Sequence, residues 1–517
     1  MKRARVNRLR GWEVLCPTLR AVRRLTMLKF ALDAFLNGSE DAAVTKMAKR
    51  PSQWVGLPSA PALGSATREF MLRRSITLRE FIVVMLLPCL DVALEFPTLF
   101  ASTVGEDGAP CSCCIAVDQP VVSLTRRQVW CLLANMFFCA FRPRIEPDDD
   151  DSALDDADAP DWVDARLLPT TDYAEMLAAP EKANEIEVAK LLLLFDFFVE
   201  AQRWTSRQEM EEVEMIAYRS RAAPALARSL LPRVWCAVPH ASPSTSSPAA
   251  LPPLLPVVLH PLGESIDDQS TMIRIDFANR CIGGGALSNG AVQEEITFAQ
   301  CPALNTLRWY QTQLGHAESV VVTHYYQYGQ VQPGTYGRTL HYGNAVIPPR
   351  ACGGALLVVD ALDFRFDTVD EYSQAAVYRE LVKLIGGLSS PAVASLLAVA
   401  GGNWGCGVFG GDLELKLLLQ WAACGVAGKE LHYFPFDKAG CDRFIPHVTQ
   451  RLRRGCAPPL TTENLISFLY TLEDVSDADE ESARGDDRAT AGDAFGFAWS
   501  SFLKHFCLLD RPLKGAT

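Results

Sequence analysis

Three consecutive glycines, Gly283, Gly284 and Gly285, are followed after a seven-residue spacer by Gln293, Glu294 and Glu295. Glycine lets a backbone lie against a ligand where any Cβ would collide. Two adjacent carboxyl groups then sit a short loop away. Bare backbone beside carboxyl groups suits a sugar–phosphate ligand whose glycosidic bond is to be broken. Breaking such a bond takes a proton for the leaving oxygen, tolerance of an oxocarbenium-like centre and a guided water. One carboxyl group can give the proton and then activate the water. Neighbouring carboxylates disfavour simultaneous ionisation, which would help one of them keep a proton near neutral pH. Consecutive residues do not share a helix face, so the two side chains are expected to diverge. Standing alone, a Glu-Glu pair is an ordinary helix start.

A second glycine-rich run, Gly402-Asn403-Trp404-Gly405-Cys406-Gly407-Val408-Phe409-Gly410-Gly411-Asp412, lies far downstream. Glycines there open the turn and aim N–H groups at phosphate oxygens, ahead of a helix expected from Leu413. No Gly-Lys-Ser/Thr closes the run, so it is not a Walker loop. No strand–acid pair follows it, so it is not the dinucleotide fingerprint either. The eight histidines show no metal-ligand spacing, and neither a catalytic metal nor a cofactor is expected.

The elements that must carry these runs change along the chain. From about residue 257, short β-branched runs (Val257–Leu259, Met272–Ile275, Ser319–Val322, Leu356–Val359) alternate with helical patterns at Gln374–Ile385, Leu413–Ala427 and Thr462–Glu473. Such alternation predicts an α/β layered domain around a largely buried sheet. Residues 65–236 read mainly as helices. Ser123 to Thr125 offer caps for one beginning "RRQVWCLLANMFFCAF", and a mostly buried one starts near Asn184. Between these two helices, Glu146 to Asp161 holds nine carboxylates, which predicts a solvated loop. The Pro/Ser-rich stretch from His240 to Pro256 reads as a connector. The expected organisation is a poorly ordered basic arm over 1–64 and a helical accessory domain over 65–239 with an acidic insert at 146–164. A catalytic domain over 240–475 follows, then an acidic loop and C-terminal helix over 476–517.

Composition bounds the function. The 517 residues are 49% hydrophobic and 21% charged, which is ordinary globular chemistry. A net charge of −12 argues against broad binding to a nucleic-acid backbone, so no direct DNA binding is expected. Sixteen cysteines, many inside apolar runs as at Cys131 and Cys139, predict buried free thiols and a reducing compartment. Cys111, Cys113 and Cys114 lack a second pair at ligand spacing. The most apolar run, Phe81 to Leu94, is too short to span a bilayer and carries Pro88 and Asp91, so no membrane association is expected. Residues 1–30 hold nine Lys or Arg and one acid. With no serine there, an import signal or plain basic arm fits better than a mitochondrial presequence, and the nucleus or cytoplasm is the expected location.

The two glycine runs and the Gln-Glu-Glu together resemble the poly(ADP-ribose) glycohydrolase family, whose signature is a triple glycine, six to eight residues, then Gln-Glu-Glu. "RIDFANRCIGGG", "VQEEITF", "VVDALDF", "GGNWGCGVFGGD" and "HYFPFD" are similar to family blocks, in family order, and the likeness covers roughly residues 75 to 475. It implies a macrodomain-like mixed sheet between helices, preceded by a mainly helical domain. Composition alone would not separate this from a Rossmann-like sheet. It implies hydrolysis of ribose–ribose bonds in poly(ADP-ribose), on free polymer or on modified proteins, by a chain expected to act as a monomer; the alternatives are a non-catalytic macrodomain reader of ADP-ribose and a hydrolase of mono-ADP-ribosylated protein. Glu295 matches the family's acid/base and Glu294 the residue that orients ribose hydroxyls. Asp276 is expected to support the catalytic loop and Asn279 to contact the terminal ribose. Gly283, Gly284 and Gly285 line the sugar, while Asn403, Gly405, Gly407 and Val408 belong to the pyrophosphate loop. Phe409 matches the phenylalanine that presses on the distal ribose. Tyr336, in "PGTYGRT", resembles the tyrosine of a mobile loop, and Phe436 the opposing aromatic ring of the adenine slot. Ile266 and Asp267 match the position that reads the adenine edge, and Gln293 offers a further amide. The Tyr336 loop is about two residues longer than the family pattern, and Asp267 stands where a longer Glu is common.

Overall fold

A computed structural model describes residues 17–100, 119–141, 170–204, 206–222, 251–365, 370–436 and 460–472, with short pieces at 8–10, 162–164, 445–446, 498, 501–502 and 505–506. The acidic insert (apart from 162–164), the cluster at Cys111, Cys113 and Cys114, and most of 476–517 lie outside the described residues. The main strands are β1 (Val121–Thr125), β2 (Val213–Arg221), β3 (Val258–Leu259), β4 (Ile273–Ala278), β5 (Glu318–Thr323), β6 (Tyr325–Val331), β7 (Tyr342–Cys352), β8 (Ala355–Asp360), β9 (Ala398–Gly402) and β10 (Glu430–Phe434). The main helices are α1 (Leu19–Leu36), α2 (Pro61–Arg74), α3 (Arg126–Phe137), α4 (Glu185–Ala201), α5 (Gln293–Gln300), α6 (Gln374–Leu388), α7 (Leu413–Ala427) and α8 (Thr462–Leu469).

Packing does not divide the chain in sequence order. One compact unit gathers Met1–Tyr218, Ala278–Gln313 and Val322–Cys352. The other gathers Arg219–Phe277, Leu314–Val321 and Gly353–Thr517.

The first unit is mostly helical. Residues 1–64, expected to be a poorly ordered arm, instead hold α1, the short helices Ala42–Lys49 and Pro51–Val55, and the start of α2. The cause is a stripe hidden among the arginines: Ala21, Leu25, Leu28, Ala31 and Leu32 recur at helical spacing and are buried. Thr18 Oγ1 caps the helix by accepting from the Ala21 N–H at 3.1 Å. At α3, Thr125, among the expected caps, forms a reciprocal capping box with Gln128. α4 is apolar on nearly every face and buries Leu191–Leu194, Phe195, Phe197 and Phe198. Each such side chain contributes about 1.5–3 kcal/mol on burial. Ala189 of α4 packs with Ala291, Ile296 and Leu340, which seats α4 against α5. The unit also holds two antiparallel strand pairs, of which only the first interrupts the expected helical run. β1 pairs antiparallel with β2, and β6 pairs antiparallel with β7.

The second unit is a sheet flanked by helices. Its strands run in the order β5-β8-β4-β9-β10-β3. β4, β9, β10 and β3 are mutually parallel, with Val399 opposite Ile273 and His432 opposite Val258. β5 and β8 are buried along their whole length, as strands covered on both faces are. α7 starts at the N-cap Asp412 and stops at Gly428, which takes a left-handed conformation at φ +65°.

Candidate active site

In the first unit the triple glycine forms a tight loop and the acid pair opens α5. Gln293, Glu294 and Glu295 are all buried, with Gln293 as the helix's first residue. Glu294 accepts from the Gly283 N–H at 2.6 Å through one oxygen and from the Asn279 N–H at 2.9 Å through the other. Glu295 accepts from the Gly285 N–H and from the Val292 N–H, both at 3.0 Å. The carboxyl groups diverge onto different stretches of the loop, as adjacent helical residues must. Gly284 has φ +41°, and a Cβ there would lie 2.7 Å from a Glu295 oxygen and 2.9 Å from a Glu294 oxygen. Its missing side chain is the room that the two carboxyls occupy. Asn279 turns its amide oxygen to the Cys281 N–H at 2.9 Å, which closes a local Asx turn.

Two buried cations grip the other side of this loop. Lys190 on α4 donates to the carbonyls of Gly285 at 2.9 Å, Ala286 at 3.3 Å and Ser288 at 2.8 Å. Arg308 donates through Nη1 to Ile282 and Gly284, both at 2.9 Å, and through Nε to Thr170 at 2.9 Å. Burial pulls the Lys190 ammonium down to about 8, against an upward pull from Glu295. Burial also lowers Arg308, with Glu294 the strongest opposing charge. Every loop carbonyl these cations reach would otherwise be a poorly solvated acceptor.

In the second unit the glycine run leaves β9. Asn403 Nδ2 donates to the Pro435 carbonyl at 2.8 Å, and its oxygen accepts from the Tyr433 hydroxyl at 3.0 Å. Trp404 is fully buried and donates to the Val359 carbonyl at 2.9 Å. The Gly411 N–H closes the loop onto the Gly405 carbonyl at 2.9 Å. Gly405 sits at φ +75°, and a Cβ on it would come within 2.7 Å of the Ala361 Cβ. Beneath the loop, Lys416 stands 4.8 Å from the Trp404 ring centroid and bonds Glu380 at 2.7 Å. Burial alone would raise Glu380; Lys416 and Arg379 outweigh it and hold the carboxyl below its ordinary value. At the tip, Gly407 and Val408 are exposed. The N–H groups of Gly407, Val408 and Phe409 have no backbone acceptor among the described residues. Arg365 lies 5.5 Å from the Phe409 ring centroid. The start of α7 is already occupied, since Asp412 accepts from the Leu415 N–H at 2.7 Å. The first turn of α7 is therefore capped by the chain's own carboxylate.

The remaining predicted residues divide between the units. Tyr336 is 42% exposed at the tip between β6 and β7, and the neighbouring Gly337 N–H donates to the Ala291 carbonyl at 2.7 Å. In the second unit, Phe436 is 47% exposed at φ +58°, a left-handed conformation that costs a bulky residue on the order of 1–3 kcal/mol. Ile266 is buried against Ala400 and Phe434. Asp267 follows it in a short 3-10 turn, and its carbonyl accepts from Arg274 at 2.9 Å. Asp276 is fully buried on β4. Among the described residues, no group of three or more His, Cys, Asp or Glu is placed to hold a metal ion. Cys131 is a buried free thiol, whereas Cys139 is partly exposed.

With this geometry in hand, two sequence profiles of one family align with the chain. "Poly (ADP-ribose) glycohydrolase (PARG), helical domain" matches residues 78–219, and "Poly (ADP-ribose) glycohydrolase (PARG), Macro domain fold" matches 249–443. The chain belongs to the poly(ADP-ribose) glycohydrolase family. Its fold is the family's mixed α/β macro domain preceded by a helical domain. Poly(ADP-ribose) glycohydrolase 1 of Caenorhabditis elegans is 31% identical over 209 residues, 36% of this chain and 26% of that protein. Poly(ADP-ribose) glycohydrolase 2 of the same organism is 29% identical over 204 residues, 33% of this chain and 39% of that one. The aligned part thus spans well under half of either relative's length. The crystal structure of poly(ADP-ribose) glycohydrolase from Thermomonospora curvata aligns at 16% identity and a TM-score of 0.27, covering 46% of this chain and 85% of that one. A likeness that slight adds nothing to the assignment.

Sequence reading reached the three glycines and both acids of the glycohydrolase signature but missed Gly290 within it and Lys190 and Arg308 outside it. A Cβ on Gly290 would fall 2.8 Å from the Glu295 carboxyl carbon. The available signal was a lone lysine in an otherwise apolar buried helix, since a buried ammonium must find acceptors. No helix among the described residues is long and apolar enough to cross a membrane.

Proposed function

We propose that this chain hydrolyses the ribose–ribose O-glycosidic bonds of poly(ADP-ribose) and releases ADP-ribose. The supporting observation is the pair of buried carboxyls held by N–H groups of a loop whose central glycine makes space for both. Glu295, protonated, gives its proton to the leaving 2′ oxygen as the anomeric C–O bond breaks. As carboxylate it then takes a proton from the water that attacks the anomeric carbon, which restores the acid. Glu294 and Asn279 take ribose hydroxyls, and Asp276 braces the strand end that leads to Asn279. Gly283, Gly284 and Gly285 present backbone to the sugar. The tip N–H groups around Gly407, Val408 and Phe409 suit pyrophosphate oxygens, with Gly405 and Asn403 shaping the loop. Phe409 takes the distal ribose. The exposed rings of Tyr336 and Phe436 suit adenine stacking, and Ile266, Asp267 and Gln293 suit its edge.

The substrates are free polymer and poly(ADP-ribosyl)ated proteins, with no direct DNA contact. The protein acts as a monomer in the nucleus or cytoplasm, with 65–239 as the accessory domain and 240–475 as the catalytic one. Glu295→Gln tests the reading. Turnover of labelled polymer falls by about 10²–10⁴, the range a general acid supplies, while ADP-ribose affinity stays within about tenfold. Wild-type protein that binds ADP-ribose yet releases none from polymer is a reader, and the reading fails.

A further inference from the structure

A lysine buried to 3% exposure on an apolar helix is costly unless something requires it. Lys190 spends its three N–H groups on three carbonyls of one short loop, those of Gly285, Ala286 and Ser288. Gly285 is the junction: its carbonyl accepts from Lys190 while its N–H donates to Glu295. The loop also bonds to itself, as the Ser288 and Gly290 N–H groups both return to the Gly285 carbonyl. It is therefore a small ring of carbonyls closed around an ammonium. The helix carrying that ammonium is fixed by Ala189, whose neighbours Ala291 and Ile296 flank the acid pair. Arg308 holds the preceding turn at Ile282 and Gly284.

We propose that Lys190 is a positioning residue for Glu295: by filling the carbonyl ring of 285–288 it fixes the Gly285 N–H, and with it the direction of the Glu295 carboxyl. The proposal rests on the hydrolase reading above. It adds a part of the machinery that lies outside the signature and on a different helix. A neutral amine has two N–H groups for three carbonyls and no charge-assisted bonds, so the ring loosens when the ammonium loses its proton. The charged and titratable groups acting on Lys190 are Glu295, Glu187, Arg308 and Glu175, and burial among them brings its titration to about pH 8. Turnover therefore declines above about pH 8. Stability moves the other way. The unfolded lysine holds its proton up to about 10.5 and the folded one only to about 8, so between those values unfolding takes up a proton and this group's contribution to stability rises with pH. Loss of activity without loss of stability separates positioning from mere structural support.

The test compares wild type, Lys190→Met and Lys190→Gln on poly(ADP-ribose). For Lys190→Met the expected result is a kcat lower by roughly 30- to 100-fold with KM within about threefold, since an aligned acid is lost but the binding surface is not. Amide exchange at Gly285 and Val292 rises at least about tenfold, while exchange in α7 is unchanged. Lys190→Gln keeps two N–H donors without titrating. Uncharged like the deprotonated amine, it turns over at about the lowered rate that wild type reaches above pH 8, and loses the decline near pH 8. A folded Lys190→Met variant with kcat within about twofold of wild type and unaltered exchange at Gly285 and Val292 overturns the proposal. If Lys190→Met does not fold, the pH profile of Lys190→Gln decides: a persisting decline near pH 8 overturns it, and its disappearance supports it. Should wild type release no ADP-ribose at all, the hydrolase reading fails separately, and amide exchange still judges the clamp.

Discussion

The acid loop at 279–295 and the glycine loop at 402–412 are both glycine-rich, yet glycine serves opposite ends in them. At Gly284 and Gly290 a Cβ would strike the protein's own carboxyl groups, within 2.7–2.9 Å. Those glycines make room for side chains already in place. At Gly407 a Cβ would meet nothing within 4 Å. That glycine leaves backbone open toward whatever approaches from outside. The supports differ as well. Cations from distant positions hold the first loop, with Lys190 lying 95 residues before Gly285. Beneath the second, Lys416, Glu380, Arg379, Asp360 and Lys383 form one buried charge network. The first loop thus has a fixed interior that holds acids, and the second a fixed base under an open tip. Glycine content alone conveys neither.

The sharpest way to break this contrast is at the base of the second loop. Lys416→Met leaves Glu380 buried with half its cationic partners gone. Stability falls by about 3 kcal/mol, the scale of a broken buried ion pair, as read from urea unfolding at constant slope. A loss below about 1 kcal/mol would mean that the loop's footing lies elsewhere. The next largest effect is Gly284→Ala. Alanine at φ +41° is strained, and its methyl meets two carboxyl oxygens. The expected cost is about 1–3 kcal/mol, together with a turnover loss of roughly a hundredfold as Glu295 shifts. Unchanged kcat in a variant that binds ADP-ribose normally would show that the acid pair tolerates displacement.

How much of this was legible depends on how far each cause reaches along the chain. Local causes were readable. Thr125 as the cap of α3, the helix from Leu413, and the Val-rich runs of β5 and β8 all declare themselves within a few residues. Both site loops were placed by their glycines and acids for the same reason. Long-range causes were not. The buried stripe of α1 was masked by arginines on its outer face, so a helix read as a loose basic arm. β2 carries Glu214, whose burial is supported by Arg126 and by the Tyr328 hydroxyl, which bonds it at 2.6 Å from more than a hundred residues later. Lys190 looked like an odd residue in a greasy helix because its acceptors are carbonyls, and a carbonyl has no residue type to read. The helix from Leu413 was expected, but its cap was not: Asp412 was read only as the end of the glycine run. That the helix terminus is already satisfied appears only when the N-cap bond is seen.

The smallest effect tests the open end of the comparison. Gly407→Ala adds a methyl to an exposed position whose added Cβ touches nothing, at a φ outside the left-handed region. On stability alone it is nearly silent, within about 0.5 kcal/mol. If the tip N–H groups of Gly407, Val408 and Phe409 receive pyrophosphate oxygens, the same methyl stands where the ligand's oxygens must pass. ADP-ribose affinity then falls by about tenfold, close to 1.4 kcal/mol, in calorimetric titration of a variant with an unchanged melting temperature. Gly284→Ala damages folding and catalysis together because its methyl collides inside the protein, whereas Gly407→Ala injures only binding because its methyl collides with a guest. A Gly407→Ala variant that binds ADP-ribose as wild type does would remove the tip from the binding surface and leave the two loops differing in support but not in purpose.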